Sequence, residues 1–288
     1  MNKFSSLFKK IHIHSLLWVM IAIAIATARF FELFMLLFII FIHEMGHAVT
    51  ATFFSWRIKR ISLLPFGGVV EMDEHGNRPL KEEALVVLAG PLQHLWMMGG
   101  AILLYELSWL SFASFILFIK YNLMILTFNL LPIWPLDGGK LLFLLLSLYK
   151  SFPKAHQTTL ILSGFFIFIF ILFVLIISPT HLNIWIVLSF LLFSLTKEWK
   201  HRRYVFMRFL IERYSGKKDH FRSLRPLKVR EEELVIHVLE RFQRGYKHPI
   251  IILKNDTESG FLDENELLHA YFTEKLLTAK IGDLHYSF

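Results

Sequence analysis

Phe38-Ile39-Ile40-Phe41-Ile42-His43-Glu44-Met45-Gly46-His47-Ala48-Val49 sets three ionisable side chains and a glycine inside an otherwise hydrocarbon-like run. His43 and His47 are four residues apart, so a helix carries both rings on one face with Glu44 a quarter turn away. Two imidazoles at that spacing can hold zinc while the neighbouring carboxylate works on water. In soluble helices the same pentapeptide is usually a solvated face. Here the flanks are those of a membrane span, where unpaired charge is expensive and an ionisable residue is by default functional.

Outward from this stretch, the composition agrees with a membrane setting. The 288-residue chain is 55% hydrophobic, contains 30 Phe and has a mean hydropathy of +0.51. It has no cysteine, which excludes disulfides and thiolate ligands, so any metal must be held by His, Asp or Glu. The formal charge of +8 is unevenly spread: Lys and Arg dominate 197–230, whereas acidic residues outnumber basic ones in 231–288. A basic stretch beside an apolar run favours anionic lipid headgroups, and no reading element accompanies it that would suit nucleic acid. The start of the chain, with Lys3, Lys9 and Lys10 before Ile11–Ala28, lacks a small-residue cleavage site and reads as a first span rather than a secretory signal.

Runs of about 20 apolar residues predict about six transmembrane helices, near 11–28, 33–54, 84–106, 111–131, 158–177 and 183–196. Lys120 sits awkwardly in the fourth and must snorkel outward unless that helix starts later. Leu141–Leu148 is too short to span. Lysines 3, 9, 10, 140, 150 and 154, the Arg57/Lys59/Arg60 cluster and the stretch from Lys197 orient the bundle with both termini cytoplasmic. Alternation through Arg57–Leu63, then Pro65-Phe66-Gly67-Gly68 and Val69-Val70, predicts a short membrane-associated β-hairpin able to hold an extended substrate segment by strand addition. The expected class is an all-α polytopic membrane protein with a small C-terminal α/β domain. Its parts are a transmembrane region 1–196, a basic linker 197–222 and a cytoplasmic domain 223–288. That domain should have strands near Leu227–Val229 and Pro249–Leu253, a turn at Asn255–Gly260, and helices over Glu231–Phe242 and Glu264–Phe272. Being small, it should pair with a second copy or dock on the bundle.

Catalytic zinc takes three protein ligands and leaves a position for water. Glu71, Asp73, His75 and His94 are nearby choices for the third. Asp137 is the stronger one, in Asn129-Leu130-Leu131-Pro132-Ile133-Trp134-Pro135-Leu136-Asp137-Gly138-Gly139-Lys140. It follows two prolines in a segment expected to be broken rather than regularly helical, with two glycines that let the backbone bend. Such a segment is tolerated at membrane depth where it lines a cavity.

His43-Glu44-Met45-Gly46-His47 together with Asn129, Pro132 and Leu136-Asp137-Gly138 resembles the site-2 protease family of intramembrane zinc metalloproteases, over the whole chain and most nearly its sporulation members. The resemblance implies peptide-bond hydrolysis with zinc on His43, His47 and Asp137 and with Glu44 as general base. Asn129 would contact the substrate backbone or the oxyanion, or else hold the Pro-rich turn closed. The family's glycine-rich loop corresponds to Gly67-Gly68 and its Gly-Pro motif to Gly90-Pro91; where many relatives carry asparagine this sequence has Gln93, followed by His94. No PDZ-like segment is present. The resemblance further implies a membrane-tethered pro-sigma factor, pro-sigma-K, as substrate, cut in the mother-cell membrane around the forespore, and inhibitory membrane partners. It also implies a C-terminal domain similar to a single CBS module that binds ATP or pairs in a homo-oligomer, with nucleotide-contacting residues unassigned. A metal-binding transporter and a catalytically inactive membrane adaptor are the alternatives; no internal repeat favours the first, and intact Glu44 counts against the second.

Overall fold

The computed structural model describes residues 10–13, 15–64, 67–72, 78–177, 179–215, 223–255, 257–276 and 278–285. Lys3, Lys9, Asp73 and His75 lie outside the described residues. The chain divides into two compact units. One comprises Met1–Glu74, Lys81–Leu142 and Leu162–Leu195, and the other His75–Leu80, Phe143–Ile161 and Thr196–Phe288.

Five helices are long and apolar enough to cross a membrane: α2 (Phe30–Phe53), α3 (Leu80–Glu106), α4 (Phe112–Asn129), α6 (Phe152–Ile177) and α7 (Leu182–Ser215). The expected first span is the exception. Its start forms strand β1 (Ile11–Ile13), and the remaining helix α1 (Ser15–Ala26) has 12 residues, about 18 Å of rise against a hydrocarbon core of about 30 Å. In the first unit, large apolar side chains stand uncovered on the long helices, among them Phe34, Phe168 and Phe193. Water would penalise such a surface; lipid does not. Lys120 is exposed, as a snorkelling lysine must be.

The expected hairpin is a three-stranded sheet. Strand β2 (Ile58–Leu64) pairs antiparallel with β3 (Gly67–Met72), with Ile61 opposite Val70, and β1 lies parallel to β2 on its other side, with Ile11 opposite Ile61. The order β1-β2-β3 leaves β3 at one edge. Ile58 and Ile61 anchor the sheet by packing with Ala48 and Ala51 of α2 and Val86 of α3.

The segment after α4 is broken as expected, with residues 130–136 outside any helix. Asp137 is not in a bend but opens helix α5 (Asp137–Ser147). Gly138 is needed for closeness rather than for bending: a Cβ there would lie 2.2 Å from the carbonyl oxygen of Leu130. The turn before it is held by the Trp134 amide donating to Ser163 Oγ at 2.9 Å and by Ile133 packing among Ile167, Leu188 and Leu191.

In the second unit, β4 (Ser223–Leu224) pairs with β6 (Tyr246–Lys247), and β5 (Leu227–Arg230), β7 (Ile250–Lys254) and β8 (Thr257–Leu262) form a sheet in the order β5-β7-β8. The helix expected over 231–242 is only α8 (Val235–Leu239), while α9 (Glu264–Phe272) matches its expected bounds and is started by a capping box between Asp263 and Glu266. Helix α10 (Ile281–His285) completes the unit. Residues 197–215, expected as linker, are helical: α7 runs unbroken to Ser215, because Lys, Arg, Trp and Phe change the solvent preference of a helix without interrupting it. Nor is 223–288 the whole of this unit. Phe152 stacks on Phe209 at 4.1 Å between ring centres, the Phe152 amide donates to the Phe242 carbonyl, and Gln243 Nε2 donates to Leu148 O at 2.7 Å. Residues 143–161 and 196–215 therefore supply part of its core, which offsets the small size of the C-terminal piece.

Candidate metal centre

Helix α2 carries His43, Glu44 and His47 on its buried side. Ala89 and Gln93 of α3 come so close that a Cβ on Gly46 would lie 2.5 Å from the Ala89 carbonyl oxygen, which is the close packing expected of that glycine. Helix α5 brings Asp137 to the same place. His43 Nε2 and His47 Nε2 are 3.1 Å apart, and Asp137 Oδ2 lies 3.1 Å from the first and 3.2 Å from the second. All three side chains are buried, and among the described residues they form the one His/Asp/Glu group placed to share an ion.

The hydrogen-bond partners decide what these atoms can do. His47 Nδ1 is 2.8 Å from the carbonyl of Val86, which can only accept, so Nδ1 carries the hydrogen and Nε2 is free to offer its electron pair. Lys140 Nζ donates to Asp137 Oδ1 at 3.1 Å and leaves Oδ2 facing the histidines. Electron-pair donors packed this closely in a dry place repel unless a cation joins them. Two imidazoles and a carboxylate make a catalytic zinc set, and ligands about 2.0–2.1 Å from a tetrahedral ion stand about 3.3 Å apart, close to the separations seen. The residues present fit zinc.

Two glycines make room for this group. A Cβ on Gly90 would lie 2.2 Å from His47 Nε2 and 2.8 Å from His43 Nε2, and one on Gly68 would lie 2.2 Å from Glu44 Cγ. Glu44 therefore packs against the backbone of β3, within hydrogen-bonding reach of the Val70 amide.

The other candidates go elsewhere. Glu71 pairs with Arg60 at 2.6 Å on an exposed face. Gln93 is bonded to Ala89 O and Trp96 Nε1. His94 lies outside the three-residue group but touches it, its Nε2 lying 3.1 Å from His43 Nδ1. Asn129 donates to Ile125 O one turn back on its own helix at 3.1 Å, and no hydrogen bond joins it to the metal group. Sequence reasoning does not reach the Val86 carbonyl or the bond from Lys140, although the basic residue three places after Asp137 leaves a readable signal.

The comparisons with known proteins agree with this geometry. The profile of Peptidase family M50 matches residues 31–108 and 95–173. The chain is 50% identical over 284 residues to stage IV sporulation protein FB of Bacillus subtilis, covering 99% of each protein. It is 30% identical over 157 residues to a zinc metalloprotease of Methanocaldococcus jannaschii, which is 51% of this chain and 45% of that protein. Among solved structures it resembles the site-2 protease from Methanocaldococcus jannaschii, with a TM-score of 0.52 and 29% identity over 65% of this chain and 89% of that one. These findings set aside the transporter and the inactive adaptor. With the Peptidase family M50 profile, the near full-length relative and the buried His43, His47 and Asp137 in agreement, the chain belongs to the site-2 protease family and is a membrane zinc metalloprotease.

Proposed function

We propose that this protease cuts a membrane-tethered pro-sigma factor, pro-sigma-K, during spore formation. The near full-length likeness to a stage IV sporulation protein supports the setting. The chemistry rests on one observation above all: Glu44 is buried on the helix turn that carries His43 and His47 and packs against Gly68 of strand β3. His43, His47 and Asp137 would hold the zinc, which would supply Lewis-acid activation of water and of the scissile carbonyl. Glu44 takes the proton of the attacking water and returns it to the leaving nitrogen. The apolar walls of α2 and α3 exclude other water, which strengthens each electrostatic contact in the site. A helical substrate hides its amides in its own ladder and must be bound unwound. The outer edge of β3 supports that step, because β1 already covers the other side of β2 and Gly68 brings the β3 backbone against Glu44. Asn129 Nδ2 spends one N–H on Ile125 O, which leaves its second N–H and its amide oxygen for the substrate backbone.

The remaining expectations complete the reading. Both termini face the cytoplasm of the mother cell, with the short α1 as the sixth crossing that returns β1 and β2 to one side, and Lys197, Lys200, Arg202 and Arg203 meet anionic headgroups. The C-terminal, CBS-like part regulates cleavage, through ATP or through pairing in a homo-oligomer, and inhibitory membrane proteins hold the enzyme in check. Calorimetry with ATP belongs on the full chain, because 143–161 shares the core of that unit; no heat at millimolar nucleotide favours a recruiting scaffold instead. The direct test is reconstitution in vesicles with a tethered pro-sigma-K segment, with and without a chelator. Cleavage at one mapped bond that the chelator abolishes is expected. An intact segment beside cleavage of another membrane protein would reject the substrate.

A further inference from the structure

We propose that His94 and Asn122 form a relay that positions His43 as a zinc ligand. The inference rests on the metal site described above and concerns what aims its first ligand. His94 of α3 and Asn122 of α4 are both completely buried. Asn122 Nδ2 donates to the carbonyl of Phe118 at 2.9 Å, which turns its Oδ1 toward His94 Nδ1 at 3.0 Å. An amide oxygen only accepts, so His94 Nδ1 carries the hydrogen and His94 Nε2 presents an electron pair. His43 Nδ1, 3.1 Å away, then donates to it. His43 Nε2 is left with its own electron pair toward Asp137 Oδ2 and His47 Nε2. Reversing the relay would set two bare acceptors against each other at Asn122 and place a hydrogen between His43 and the ion.

Ligand histidines ordinarily donate their second N–H to a carboxylate or a carbonyl. His47 does so through Val86. Among the described residues His43 Nδ1 is bonded to His94 rather than to a backbone carbonyl, and a carboxylate there would add a charge at membrane depth. A neutral ring held by a neutral amide gives the same orientation without that charge. It also ties α2, α3 and α4 to one ligand. His94 is thus a positioning residue, and the Gln93 beside it is not its equivalent.

The test compares two conservative variants in the purified full-length protein, using zinc affinity from chelator competition and kcat with KM. In His94→Gln the amide oxygen reaches the place of Nε2 and still accepts from His43. In His94→Asn the amide stops at the place of Nδ1, keeping Asn122 but losing His43. Zinc affinity within about threefold of the parent is expected for Gln, and about 10–100-fold weaker binding for Asn, with kcat falling in step and KM unchanged. Equal zinc affinity in the two variants, whether both match the parent or both are weakened alike, would overturn the relay. Should either variant fail to fold, Asn122→Leu leaves the ring of His94 in place and removes its acceptor; zinc affinity unchanged from the parent there would also overturn it. A parent protein that binds no zinc would instead sink the metal site on which the relay rests.

Discussion

Two clusters of buried polar side chains among the described residues are built on opposite principles. In the second unit Arg213 donates from Nε and Nη2 to both oxygens of Glu264 and from Nη1 to Gln243 O, and Glu264 also accepts from the His248 amide at 2.6 Å. His248 accepts at Nε2 from the Gln243 amide and donates from Nδ1 to Arg225 O, both at 2.9 Å. Each of these donors meets an acceptor, and the cluster is satisfied by protein alone. In the first unit, His43 Nε2, His47 Nε2 and Asp137 Oδ2 crowd within 3.2 Å of one another, and with both imidazoles neutral and carrying their hydrogen on Nδ1 all three atoms are acceptors. A fold tolerates the first kind of cluster for its own sake. It keeps the second only if something else supplies positive charge.

Breaking that contrast at its sharpest point, Asp137→Ala removes the anionic ligand. Zinc should be lost from the purified protein and cleavage should fall by about ten-thousandfold, as read by metal analysis and a cleavage assay. Gly90→Ala is next: its Cβ would displace His47 Nε2, so zinc affinity should drop by about 100-fold while the C-terminal unit stays folded. On the other side of the comparison, Arg213→Ala strands a buried carboxylate and should destabilise the second unit by about 3–5 kcal/mol with one zinc still bound. Arg213→Met combined with Glu264→Leu should cost far less, because nothing charged is left unpaired. The smallest effect is one of pH. Burial holds the His248 imidazole below its usual range, so as pH falls through about 6.5 the unfolded chain takes up a proton that the folded one refuses. Stability of the second unit should therefore decline with acid. Hydrogen exchange at Ile250 and Ile252 between pH 7.5 and 5.5 would measure it, and His248→Gln should flatten the slope.

How much of this was legible depended on whether a feature lies along the chain or across it. His43, Glu44 and His47 share one helix turn, and Asp137 sits among prolines and glycines that announce an unusual segment. Strand β1 was not legible, since Ile11–Ile13 adjoins an apolar helix and its pairing with Ile61–Leu63 is parallel and nearly fifty residues away. The run of α7 into Lys197–Ser215 was hidden because the change from apolar to basic looks like a boundary although helix propensity does not change there. Gly138 was read as a hinge and is a point of contact, a distinction that depends on where Leu130 lies. The sequence offers His94 as a ligand or, with Gln93, as a stand-in for the relatives' asparagine, and not as a support for His43, because its distance from His43 is set by the packing of two helices.

The central claim, that a protein-unsatisfied cluster holds zinc for Glu44 to use, is tested most directly by Glu44→Gln in the purified enzyme, with zinc content and cleavage measured on the same sample. One zinc per chain in both parent and variant, with cleavage lower by about a thousandfold in the variant, is the predicted result. Undiminished cleavage by the zinc-loaded variant would contradict the account.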